Sequence, residues 1–272
     1  MSEQTTRDDF THADLPHVGK RVLRLGLAGN FGLQGDDILY AAERGVRFWM
    51  WSPTQKKITP ALREVLSRDR EQHVVAAFVG LGYTAGMVRR TVEKSLRLLD
   101  IEQIDLSILA WLGRTTLLTS GIQKEVAALK REGKIKAVGV SIHDRVRAGE
   151  LARDSMLDAF MIRYNAKHPG AEQDIFPHLE ARRPLMIAYT ATSWRQLLKP
   201  ISGMGPPLTA QQCYRFCLSS PHIHVTLTGP KDRAQLDVNL ATIEAGPLSA
   251  EEEVRVRDYG REVKGRRQLP FV

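Results

Sequence analysis

Eight short apolar runs recur along the chain, and each is followed by a longer stretch with helical periodicity. The runs are VLRLGLA, VRFWMW, VVAAFVG, IDLSILAW, IKAVGVS, DAFMIRY, LMIAYT and IHVTLTG. They are near-continuous in apolar residues, the pattern of parallel strands buried on both faces. Between them lie DDILYAAERG, TPALREVLSRD, MVRRTVEKSLRLLD, IQKEVAALKREG, DRVRAGELARD, EQDIFPHLEAR, TAQQCYRFCLSS and DRAQLDVNLATIEAG. Each of these carries its apolar residues at helical spacing. Gly45 reads as the stop of the first helix, and Thr59 as the N-cap of the second with Pro60 at its first position. A ninth helix, SAEEEVRVRDYGREVKG, opens on a capping box of Ser249 and Glu252. Strict alternation of strand and helix predicts an α/β fold, a (β/α)8 TIM barrel with an additional C-terminal helix. A doubly wound open sheet is the alternative, but no G-x-G-x-x-G joins a first strand to its helix. ISGMGPPLTA falls in the loop after the seventh strand, at the end where barrels carry their chemistry.

Composition changes this picture little. The 272 residues are 43% hydrophobic and 26% charged, ordinary for a single globular domain. Residues 1–20 read as a polar N-terminal segment and 21–272 as one barrel domain. The net charge of +8 suits an anionic partner such as a phosphorylated cofactor. The basic residues nevertheless follow helical spacing, so most are assigned to solvated faces, and nucleic acid is not expected as a partner. The two cysteines, Cys213 and Cys217, lie one helical turn apart without a set of metal ligands, so no metal site is expected. They read as reduced thiols of a cytoplasmic protein. No signal segment or membrane span is expected, because no run of apolar residues is long enough.

Five stretches in order carry a resemblance. AAERGVRFW, VEKSLRLLDIEQIDL, LKREGKIKAVGVS, MIRYNAKH and GPKDRAQLDVNL are similar to the corresponding parts of the aldo-keto reductase family, over roughly residues 20 to 262. The resemblance implies a barrel that reduces carbonyls with NADPH. In that family a Tyr, tuned by Lys and His and an Asp paired with the Lys, protonates the oxygen that hydride transfer leaves charged. The positions matching this tetrad hold Met50, Gln55, Phe78 and Ala110. No shift of the alignment restores the set: residues 38–68 lack Asp, 41–82 lack Tyr, 58–93 lack Lys and 74–142 lack His. Removing the Lys and its Asp together avoids a buried unpaired charge. Trp49, Trp51, Phe78 and Trp111 are either core residues or the walls of an apolar ligand pocket.

The cofactor half of the resemblance is better kept. Tyr189 matches the ring that stacks on nicotinamide, with Thr190 beside it, and Ser141 matches a carboxamide contact. The neighbouring Asn and Gln of the family are replaced by Ile142 and Ile162. Lys231 and Arg233 match a site for a 2′-phosphate, and Gln235 and Asn239 match the adenine contacts, on a helix that starts near Asp232. NADP(H) is therefore the implied cofactor. His143, at the end of the fifth strand, and Tyr83, after the third, are the candidates for a relocated acid, with His168, Tyr164 and Glu172 nearby. Three functions stay open. The first is a protein that binds NADP(H) or a small apolar or aromatic ligand without conventional carbonyl reduction. The second is an oxidoreductase with a relocated acid, and the third is a non-redox lyase or cyclase.

Overall fold

The computed structural model describes residues 10–79, 84–112 and 118–266. Eight parallel strands close into a barrel: β3 (Leu25–Ala28), β4 (Phe48–Trp51), β5 (Val74–Val79), β6 (Ile104–Leu112), β7 (Ile135–Ile142), β8 (Ala159–Arg163), β9 (Leu185–Tyr189) and β10 (Val225–Thr228), with β10 pairing β3. All eight apolar runs form barrel strands in the predicted order. The first run divides, because Arg24 turns out of the strand and donates to the carbonyls of Phe10, Ser220, Ile223 and His224. Residues before it form β2 (Lys20–Leu23), paired antiparallel with β1 (His12–Leu15).

This hairpin runs across the boundary expected at residue 20. Leu15, Val18 and Val22 are buried in one cluster with Phe48, Val74, Leu106, Leu185 and Val225, at the starts of the barrel strands. Lys20 ties the hairpin down, pairing with Asp105 at 2.8 Å and donating to the His73 carbonyl at 2.9 Å. Each apolar side chain so buried contributes roughly 1.5–3 kcal/mol. The hairpin therefore closes the N-terminal end of the barrel and belongs to its core.

Helices α1 (Gly35–Glu43), α2 (Thr59–Arg68), α3 (Ala85–Leu99), α4 (Ser120–Arg131), α5 (Arg145–Arg153), α6 (Ala171–Asp174), α7 (Ala210–Ser219), α8 (Arg233–Glu244) and α9 (Ala250–Gly265) surround the strands. Gly45 follows the end of α1 with φ of 92°, the left-handed conformation that stops a helix. The Ser249–Glu252 capping box opens α9. Thr59 lies one position inside α2, not at its cap. Its hydroxyl donates to the Gln55 carbonyl and accepts from Trp51 Nε1 at 3.1 Å. The helix expected over EQDIFPHLEAR shrinks to one turn of α6 and a 3-10 turn at Phe176–His178, because Pro177 brings no N–H to continue it.

Strand alternation separates two cores. Residues of one parity point into the lumen, among them Phe48, Met50, Ala76, Ile108, Ala137, Met161 and Ile187. The other parity packs beneath the helices, including Trp49, Trp51, Val75, Val138, Phe160 and Ile162. Gly26 shares the lumen parity and carries no side chain there, since a Cβ would come within 2.7 Å of the Phe48 ring.

Candidate functional site

The lumen-facing residues nearest the C-terminal ends of the strands form the floor of the barrel mouth. On β3 to β5 they are Ala28, Met50 and Phe78, all packed against the lumen core. Below them on β4 to β6 stand Phe48, Val74, Ala76, Leu106 and Ile108. On these strands the lumen-facing residues are all apolar. On β7 to β9 the same level brings Ser141, Arg163 and Tyr189, with His143 just past β7. The mouth is thus divided into a dry half and a polar half.

Of the two readings of the aromatic residues, core or pocket wall, Trp49 and Trp51 follow the first. Trp49 and Trp51 are 2% and 1% exposed and lie in the outer core. Trp49 Nε1 donates to His73 Nδ1 at 3.0 Å, and Trp51 is held by Thr59. The period of two places Met50, flanked by both, in the lumen. Phe78 does face the mouth. A register shift lies between Leu109 and Leu112, leaving Ala110 buried and Trp111 49% exposed with φ of 45°. Gln55, in the loop after β4, keeps a buried Oε1 without a hydrogen-bond partner. Tyr83 lies outside the described residues.

His143 is joined to two groups. Arg163 Nη2 lies 3.2 Å from its Nδ1, and the Tyr189 hydroxyl lies 3.1 Å from Nε2 and 3.2 Å from Nδ1. Arg163 can only donate, so Nδ1 accepts. In the neutral ring Nε2 then keeps the proton and gives it to the Tyr189 oxygen, an assignment that follows from the network. Partial burial, then the Arg163 charge, holds the His143 pKa below 6.5, which favours this neutral form. Burial raises the Tyr189 phenol above 10, with Ser141 and Arg163 acting in the opposite sense. Ser141 Oγ is buried beside that phenol without a well-directed hydrogen bond of its own. His168 is held at about 4 by burial, then by Arg163 and Lys167. Tyr164 and Glu172 sit apart from this group. The Tyr164 hydroxyl donates to Glu172 at 2.7 Å, and Glu172 is paired with Arg257 on α9.

Arg163 and Trp194 were not legible as site residues. Arg163 stacks over the Trp194 ring at 5.4 Å. The signal for Arg163 was the alternation in FMIRY: Met161 and Arg163 share the lumen parity, while Ile162, matched above to a cofactor contact, points outward. Ile142 likewise points outward. The loop after β9 is strained. Thr190, Ser193, Trp194 and Arg195 all have φ between 50° and 65°, a conformation that costs side-chain-bearing residues of order 1–2 kcal/mol each. The Thr190 carbonyl is fixed by Asn165 Nδ2 at 2.8 Å, and its buried Oγ1 has no partner.

Comparison with known proteins accounts for this geometry at family level. A profile described as "Aldo/keto reductase family" matches residues 35–193. The chain belongs to the aldo/keto reductase family. Among solved structures it is similar to the aldo-keto reductase AKR11C1 from Bacillus halodurans in its holo form. The identity is 19%, coverage is 92% of this chain and 96% of that one, and the TM-score is 0.77. It is also similar to the glycerol dehydrogenase AKR11B4 from Gluconobacter oxydans, at 18% identity, 97% and 99% coverage and a TM-score of 0.75. These likenesses establish the fold. No curated protein sequence matches the chain. Among the described residues, no helix is long and apolar enough to cross a membrane.

Aldo/keto reductases generally bind NAD(P)H, and the residues here fit such a group. Orphaned Ser141 Oγ and Thr190 Oγ1 flank the half-buried Tyr189 ring, a polar lining that a carboxamide would satisfy. At the other end Asp232 caps α8, accepting from Gln235 N at 2.9 Å. Gln235 Oε1 accepts from Lys231 N at 3.1 Å. Arg233 pairs with Asp37 at 3.2 Å and stacks on Tyr40 at 4.6 Å, and Lys231 lies 3.6 Å from Asp232. Asn239 Nδ2 donates inward to Thr228 Oγ1 at 2.8 Å. The two cations are thus present with an acid beside each, and the local field is correspondingly weaker.

Proposed function

We propose that this chain is an NADP(H)-binding aldo/keto reductase homologue that does not reduce carbonyls by the family's Asp, Tyr, Lys and His route. One observation carries the reading. The lumen face of β4 to β6, from Phe48 and Met50 through Phe78 to Ile108, holds no ionisable group. Among the described residues, these three strands offer no acid to the oxygen of a ketone reduced there. Met50 and Phe78 exclude water and lower the local dielectric, which suits holding a flat apolar ligand and opposes proton delivery.

Ser141, Thr190 and the Tyr189 ring would hold the nicotinamide, and Lys231, Arg233 and the N-terminus of α8 the adenosine phosphate. When bound, the nucleotide supplies hydride. The chain's own residues orient it: Tyr189 is fixed by His143, and Thr190 by Asn165. The phosphorylated nucleotide is preferred to NADH because two cations precede and open α8. The buried, unpaired Cys213 and Cys217 suit a reducing compartment, the cytoplasm.

Titration of the purified protein with NADPH, followed by nucleotide fluorescence, tests this directly. Saturable binding without oxidation by a panel of aldehydes is the expected result. Rapid turnover of simple aldehydes would sink it. A second reading is favoured by the contact of His143 with Tyr189: an active oxidoreductase in which this pair delivers the proton. It requires turnover that falls roughly 10²–10⁴-fold in His143→Ala, with a rate that changes between pH 5 and 8.

A further inference from the structure

Strongly bonded arginines elsewhere in this chain are committed to oxygen acceptors. Arg24 serves at least four carbonyls, Arg70 holds Asp105 at 2.7 Å, and Arg215 grips Glu252 at 2.7 and 2.8 Å. Arg163 differs. It ends β8 facing the mouth, half-buried, and its polar contact is one imidazole nitrogen, His143 Nδ1. Its buried Nε meets no acceptor, and among the described residues no carboxylate lies within 4 Å of it. Lys167, buried in the loop after β8, donates to the uncharged Gln196 Oε1, and among the described residues no carboxylate pairs with it. Two cations without a counter-charge therefore face the functional end of the barrel, where an unpaired buried charge is costly.

The surroundings say what would complete them. Trp194 holds the guanidinium plane from one side and is itself 60% exposed. The exposed aromatic side chains among the described residues, Phe31, Trp111 and Trp194, all sit on the rim, after β3, at the end of β6 and after β9. A guanidinium presents its N–H groups in a fork that matches a carboxylate, and the dry half of the mouth, across the barrel from β8, accepts a flat apolar body. We infer that Arg163 is the carboxylate-binding residue of a ligand site at the mouth, and that the ligand is a small aromatic or apolar acid lying against Trp194 and over the Met50–Phe78 floor. This deepens the reading above, in that it takes the mouth as the working end, but it does not depend on a nucleotide.

Calorimetric titration of the full-length protein with phenylacetate, indole-3-acetate and 2-naphthoate, each against its own uncharged amide, tests the site. At least one acid binds ~10-fold or more tightly than its amide. Arg163→Gln brings the two affinities together while leaving the amide's unchanged, its fold checked by circular dichroism melting. Equal affinities for acid and amide across the wild-type set would overturn the proposal, as would no acid binding below about 10 mM, or a preference that survives in Arg163→Gln. NADPH titrations run in parallel keep the two readings apart. Acid preference without NADPH binding sinks only the nucleotide. Loss of NADPH affinity in Arg163→Gln, with no acid preference in the wild type, assigns Arg163 to the nucleotide and overturns the acid site.

Discussion

At the scale of residues, the decisive pair is Met50 and Phe78. They stand on neighbouring strands and face the same lumen, Met50 opposite Ala76 and so diagonal to Phe78, two residues further on. An acid at buried Met50 would stand alone without a partner, at about 3–5 kcal/mol, and a lysine at half-buried Phe78 would cost less. Together they would neutralise each other. Met50→Asp should therefore lower stability by roughly that amount in urea melts and Phe78→Lys by less, and the double variant should lose at least 1 kcal/mol less than the sum. Additive losses would show that the two positions do not meet. The sequence exposed this pair through what it lacks over long windows, and the structure adds its orientation. It could not show from FWMW alone which residues turn inward, because four large apolar residues in a row fit either parity. The same ambiguity hid Arg163 behind Ile162, where a polar residue between apolar neighbours was the one available sign.

Among elements, the strands were legible and the loops were not. Continuous Val, Ile, Leu and Ala runs admit few readings, so eight strands and their order followed from pattern alone. The hairpin of β1 and β2 escaped because its apolar residues, Leu15, Val18 and Val22, are widely spaced and its partner is a distant lumen. The segment after β9 escaped for a different reason. Its four left-handed residues carry none of the glycines that would announce such a turn. Thr190 is the most strained of them, since a β-branched side chain rarely adopts φ of 57°, and its hydroxyl is buried without a partner. Thr190→Gly should raise stability by about 1 kcal/mol. Relief of backbone strain and of the orphaned hydroxyl exceeds the added freedom of the unfolded chain. Thermal melting reads this as a rise of a few degrees, and a fall would mean that the hydroxyl has a partner in solution.

For the whole molecule, acid is a destabilising condition. His73, held by Trp49, and His224, beneath β9, are both lowered to about 4, chiefly by burial and then by Arg47 and Arg24 respectively. In the unfolded chain they take up protons near 6.5. Between pH 6.5 and 4 the unfolded state therefore binds more protons, and stability rises with pH across this window. It is complete above about 6.5 and is lost as pH falls towards 4, each histidine contributing on the order of 2 kcal/mol. Urea midpoints measured at steps from pH 7.5 to 4 should stay level and then drop. His73→Gln should flatten part of the slope, and an unchanged slope would place the acid sensitivity elsewhere.

The plug formed by β1 and β2 sets the traffic of the molecule. With its lumen packed and its foot sealed, the cylinder is a shallow cup and not a tunnel, so every guest must come and go past the same rim. Two guests that share it are bound to an order: the one seated deeper enters first and leaves last. Whatever stands against Trp194 thereby governs how long its neighbour below stays.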